Sequence, residues 1–210
     1  VRNLNTSLYK IALFARADSG TIHCWNLIEL TNDVGNWGSP FSAPLTGWDN
    51  GDLYYGIGEP ACTKSVITVA AHLSEKRLTN GTIVGGTIAN FSSYGPTYDG
   101  RLKPDISAPG VGVVSSVSSF TNQALSTPSA TVAFGGRTYQ FVPFSGTSMS
   151  APMVTGIVAL MLQANPTLTP QQIKDILIET AREDNRTGNI PDTGSYVWGW
   201  GKVHAWRAVK

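Results

Sequence analysis

Residues 144–156 read Phe-Ser-Gly-Thr-Ser-Met-Ser-Ala-Pro-Met-Val-Thr-Gly, and the apolar run Ile157-Val158-Ala159-Leu160-Met161-Leu162 follows directly. The small residues predict a tight glycine turn, and the apolar run predicts a buried core helix. Pro152 is tolerable only near a helix start, because deeper in it would remove a hydrogen bond and clash with the preceding turn. The helix is therefore expected to begin close to Ser148. Its first N–H groups would lack partners inside the helix and carry the positive end of the dipole. Such an end can hold an oxyanion forming beside Ser148. The residues alone also allow a plainer reading, a capping serine on a core helix.

The remaining chain supplies short strands and one further helix. Residues 8–16 and 21–30 are rich in β-formers and flank the turn signal Asp18-Ser19-Gly20, which predicts a hairpin. Residues 31–58 are dense in Gly, Pro, Asn, Asp and aromatics, as in a surface excursion or the rim of a peptide-binding cleft. Residues 65–71, Ser-Val-Ile-Thr-Val-Ala-Ala, form a nearly all-apolar run, the mark of a strand covered on both faces in a parallel sheet. Residues 99–110 read as turn, short strand, turn, with the strand over 102–107, and residues 115–130 as a loop. Residues 131–134 and 137–142 predict another hairpin, with Gly135-Gly136 supplying positive φ. Asn165-Pro166 ends the core helix. Thr169-Pro170-Gln171-Gln172 starts the next one with a capping box, and Ile173, Ile176, Leu177 and Thr180 form its buried stripe.

At 210 residues the chain is one domain or most of one. A net charge of +1 offers no electrostatic argument for nucleic acid or an anionic membrane. No uninterrupted apolar stretch approaches the roughly 20 residues of a membrane helix. Cys24 and Cys62 define no disulfide framework; one bridge or two free thiols both fit. The chain opens at Val1 rather than Met, as a processed product or a piece of something longer would.

The block Gly146-Thr147-Ser148-Met149-Ser150-Ala151-Pro152 closely resembles the nucleophile motif of the subtilases, the subtilisin-like serine proteases. A second signature precedes it in register: Phe91-Ser92-Ser93-x-Gly95-Pro96, then Lys103-Pro104-Asp105-Ile106-x-Ala108-Pro109-Gly110. The closing segment from Trp198 to Ala208 is similar to the family's Gly-x-Gly-x-hydrophobic ending. The resemblance implies an α/β fold, the C-terminal half of a three-layer domain with a parallel sheet between helices. It divides the chain into 1–55, a β-rich hairpin insertion, and 56–210, the C-terminal part of the catalytic domain. Ser148 is implied as nucleophile and its N–H as one oxyanion donor, with Gly146 and Thr147 beside it. Gly58-Glu59-Pro60 aligns with the segment lining the primary specificity pocket, where a cis proline is common. Glu59 there would favour a basic or polar substrate side chain. Met153 stands where most members carry His, and reads as a packing variation.

A serine hydroxyl needs a base, normally a His oriented by a carboxylate, and the family order along the chain is Asp, His, Ser. Only His23 and His72 precede Ser148, and neither sits in a His-Gly-Thr block. Both read as structural or exposed histidines, as does His204. Asp18 lacks the preceding apolar strand that ends in the family's aspartate. The second oxyanion donor, an Asn in an Ala-Gly-Asn-x-Gly type block, is expected just before residue 65, and no such block is found there. The expectation is a serine endopeptidase of which this chain carries only the nucleophile half, inactive alone. The alternative is a non-catalytic scaffold that binds peptides or protein partners. The implied partners are a protein or peptide substrate, the missing N-terminal half of the domain, and possible self-association, with no nucleic acid and no membrane. No metal ligands are identified, calcium being expected by analogy alone, and the analogy implies a secreted or cell-envelope location.

Overall fold

Two strands rich in alanine and β-branched residues run side by side at the centre of the fold. The computed structural model describes residues 13–16, 18–25, 28–29, 34–35, 43, 45–122 and 125–210. It separates into two compact units, Val1–Asp52 and Leu53–Lys210. In the first, β1 (Ile28–Glu29) pairs antiparallel with β2 (Val34–Gly35). The expected hairpin about Asp18-Ser19-Gly20 is not formed among the described residues: 13–16 and 21–25 carry no strand. Those residues are mostly exposed, and residues 8–12, 17, 26–27 and 30 of the expected hairpin lie outside the described residues.

In the second unit, β3 (Val69–Leu73) pairs parallel with β6 (Ile106–Val111). Between them lies a small ribbon, β4 (Lys76–Arg77) with β5 (Ile83–Val84). Both central strands sit a few residues later than expected. Lys103 and Pro104 precede the ladder, which begins at the pair Val69–Ile106. Thr68 is occupied beforehand, its N–H donating to Asp105 Oδ2 at 2.7 Å and its hydroxyl to Ala61 O. The flanks of this pair are partly closed by the chain's own segments. Ala89 N–H donates to Ala71 O, and Leu73 N–H to Thr87 O. On the far side, Ser107 N–H donates to Gly201 O and Val203 N–H to Ser107 O.

A three-stranded antiparallel sheet follows, ordered β7 (Val113–Val117), β9 (Arg137–Phe144), β8 (Ala130–Phe134). The hairpin of β8 and β9 turns on Gly135 and Gly136 at φ 56° and 75°, as the glycine pair predicts. Strand β7 replaces part of the expected loop. Its serine content hides a period-two pattern that pairing with β9 stabilises.

Helix α1 (Thr147–Ala164) starts next to Ser148 and ends at the C-cap Asn165. It is buried along one stripe, Ser150, Val154 and Met161, and packs on β3, β6 and the terminal helix α3 (Ala205–Val209). Its outer face is apolar and open, with Leu160 50% and Met153 41% exposed, so Met153 does not fill the core. By length and mean hydropathy (1.3) α1 also reaches the size of a membrane span. Its seating on a sheet identifies it as a core helix of an α/β fold. Helix α2 (Pro170–Glu179) has the predicted capping box and buries Ile173 and Leu177.

Candidate active site

The approach to Ser148 is held by backbone. Val113 pairs with Phe144, bringing the end of β9 beside the start of β7. Gly146 N–H donates to Gly110 O at 2.8 Å, and Gly112 N–H donates to Ser145 Oγ at 3.0 Å. The turn is thereby tied to the end of β6, and α1 begins at once. Ser148 is its second residue and is exposed. Among the described residues neither its Oγ nor its N–H has a hydrogen-bond partner. Pro152, four residues on, has no N–H to give the Ser148 carbonyl. No acidic side chain stands in the first turn of α1 to offset the dipole's positive end.

The other expected site residues lie on a separate turn. Gly58, Glu59 and Pro60 are exposed, with Cys62 N–H donating to Gly58 O and Thr63 N–H to Pro60 O. The Glu59–Pro60 bond is cis, as the resemblance implies. Among the described residues no hydrogen bond joins this turn to Gly146, Thr147 or Ser148.

His72 lies within β3, 3% exposed, with its ring 6.1 Å from that of Trp198. Side chains alternate across a strand, and Ala71 is the one that faces α1 through Gly110. The His72 ring therefore points to the opposite face, away from the helix that carries Ser148. Its Nδ1 has no partner. Burial, aided by the nearby Lys202 ammonium, lowers its pKa to about 4, so it is neutral at pH 7. Beside it Lys202, itself buried, donates to Glu75 and Asp184 at 2.6 and 2.8 Å, and Arg182 bridges the same two carboxylates. Burial pushes both carboxyl groups up, but these hydrogen bonds outweigh it and hold them below the usual range.

The second signature is structural. Asp105 accepts from Lys103 and Lys174, each at 2.6 Å, and from Thr68 N–H, fixing the start of β6 against β3. Buried Ser92 accepts Ala71 N–H at 3.0 Å. Asp18 lies in an exposed bend, and Cys24 and Cys62 are free thiols. Among the described residues no three His, Cys, Asp or Glu side chains gather as a metal site.

Comparison with known proteins agrees with this geometry. A model described as the subtilase family matches residues 34–201. The chain is 34% identical over 173 residues to serine protease AprX of Bacillus subtilis, covering 82% of this chain and 36% of that protein. It is 37% identical to an uncharacterized Aquifex aeolicus protein, aq_aa18, over 64% of this chain and 58% of that one. The chain thus spans less than two thirds of either relative. Its fold matches the crystal structure of fervidolysin from Fervidobacterium pennivorans, a keratinolytic enzyme related to subtilisin. That match has a TM-score of 0.50 and 34% identity, over 72% of this chain and 20% of that one. The family match starts at residue 34, well before the signatures that are easiest to read. It opens on Val34-Gly35-Asn36-Trp37-Gly38, a Gly-Asn-x-Gly sequence that stands well before the position just ahead of residue 65 where such a block was expected. Asn36 itself lies outside the described residues.

Proposed function

Because the chain belongs to the subtilase family, we propose that it contributes the nucleophile half of a serine endopeptidase site, with Ser148 attacking the peptide carbonyl. The observation that carries this reading is the exposed Ser148, with free hydroxyl and free N–H, at the start of an 18-residue helix. A hydroxyl at neutral pH needs its proton removed as the new C–O bond forms. His72 is turned to the other face and buried neutral, so it does not serve as this base; on this reading the base and its orienting carboxylate lie on other polypeptide. The oxyanion would be held by Ser148 N–H together with a second donor of the kind such sites carry. Loss of one such donor typically costs about a hundred- to a thousand-fold in turnover. Substrates are extended peptides or proteins, with Glu59 favouring a basic side chain in the primary pocket. An extracytoplasmic location follows from the same family reading.

The test is hydrolysis of peptides differing only by Lys or Leu at the pocket position, by a protein that joins these residues to the segment bearing the base. We expect Ser148→Ala to abolish hydrolysis and Lys to be preferred at the pocket position. Hydrolysis that survives Ser148→Ala would reject the assignment. Peptide binding without hydrolysis in any variant would favour the non-catalytic scaffold.

A further inference from the structure

Helix α1 bears directly on the backbone of β6 at Gly110. This residue is buried near the end of β6, and a side chain there would overlap Ser150 Oγ. The same Cβ would stand 2.8 Å from Ala71 Cβ and 2.9 Å from Gly146 O. Gly110 is not among the glycines with positive φ, so space rather than backbone conformation requires glycine here. From the helix side the contact is made by Ser150, fully buried, whose hydroxyl has no hydrogen-bond partner. A buried hydroxyl left unpaired costs about 1–3 kcal/mol. Alanine would avoid that cost, so hydrogen bonding does not account for the serine.

We propose that Gly110 and Ser150 are positioning residues for Ser148: the Ser150 hydroxyl, bearing on a backbone without a side chain, sets the depth at which α1 rests on β6. Successive helical residues are about 100° apart, so Ser148 and Ser150 project on nearly opposite sides. Pressing Ser150 inward turns Ser148 outward. The same seat fixes the turn before Ser148, because Gly110 O accepts Gly146 N–H at 2.8 Å. A helix lifted by even one methyl group would carry the Ser148 hydroxyl and N–H with it, and misplacement on that scale is costly in a reaction that depends on alignment. The catalytic meaning of the seat rests on the reading of Ser148 as nucleophile, whereas its geometry does not.

The experiment uses the 210-residue chain. Backbone amide signals and hydrogen exchange are followed by NMR in Gly110→Ala, Ser150→Gly and the double variant. Gly110→Ala is expected to speed exchange of Gly146 N–H at least tenfold and to move the Ser148 and Met149 signals. The double variant is expected to recover a large part of both changes. Gly188→Ala, where φ is +65° and no atom lies near the added Cβ, is expected to lower Tm and leave Gly146 exchange unchanged. Should Gly110→Ala fail to fold, Ser150→Gly alone is expected to fold and to move the Ser148 signal. Unchanged Gly146 exchange in Gly110→Ala, or a Ser148 signal indifferent to Ser150→Gly, would overturn the seat. In an assembled enzyme Gly110→Ala is expected to lower kcat with KM held. Shifted Ser148 signals together with no hydrolysis by the unsubstituted enzyme would leave the seat standing and reject the nucleophile.

Discussion

His72 illustrates how burial decides what a residue can do. His72, the fourth of the five residues of β3, is buried and has no carboxylate oriented on its free nitrogen. With a folded pKa of about 4 against an ordinary 6.5, the folded state binds this proton less readily than the unfolded chain. The neutral ring therefore contributes stability that is complete above about pH 6.5 and is lost as pH falls toward 4, by roughly 3 kcal/mol in all. The depressed carboxyl groups of Glu75 and Asp184 act in the same direction at lower pH. We expect Tm to fall between pH 7 and pH 4.5, and His72→Gln to flatten that decline. An unaltered decline in His72→Gln would place its source elsewhere. At this scale Ser148 was legible because a glycine turn, a small residue and a proline converge on it.

Among elements, α1 repeats the lesson with packing. Its composition is apolar all round, which predicts burial all round, yet it touches the sheet and α3 from one side. What divides the inner stripe from the outer face is tertiary contact, which periodicity cannot register when both faces are apolar. Met161→Ala should therefore cost about 2–5 kcal/mol, as deletion of a fully buried side chain does, whereas Leu160→Gln on the outer face should stay within about 0.5 kcal/mol. Equal losses in urea unfolding would mean that the outer face is packed. Elements with local chemistry were readable in full: the capping box of α2 and the paired glycines between β8 and β9 need only their own neighbours. Strand β7 needed β9.

Across the whole molecule, the two family signatures divide the labour. Lys103-Pro104-Asp105 locks β6 to β3 and to Lys174 of α2 through a buried ion triad, and the glycines at 110 and 199 allow backbone and helix to close on those strands. On that platform stands one exposed hydroxyl at a helix's positive end. One central strand was readable from its apolar run and its parallel partner from the resemblance, but their exact register depended on Asp105 reaching Thr68, a contact between residues 37 apart. The central claim is that Ser148 is an attacking group whose base lies on other polypeptide. Treatment with a fluorophosphonate, followed by mapping of the modified peptide by mass spectrometry, tests it most directly. The account predicts an adduct on Ser148 when these residues are joined to the segment carrying the base, and no adduct on the 210-residue chain alone or on Ser148→Ala. An adduct on a different serine in the joined protein, or none at all, would contradict it.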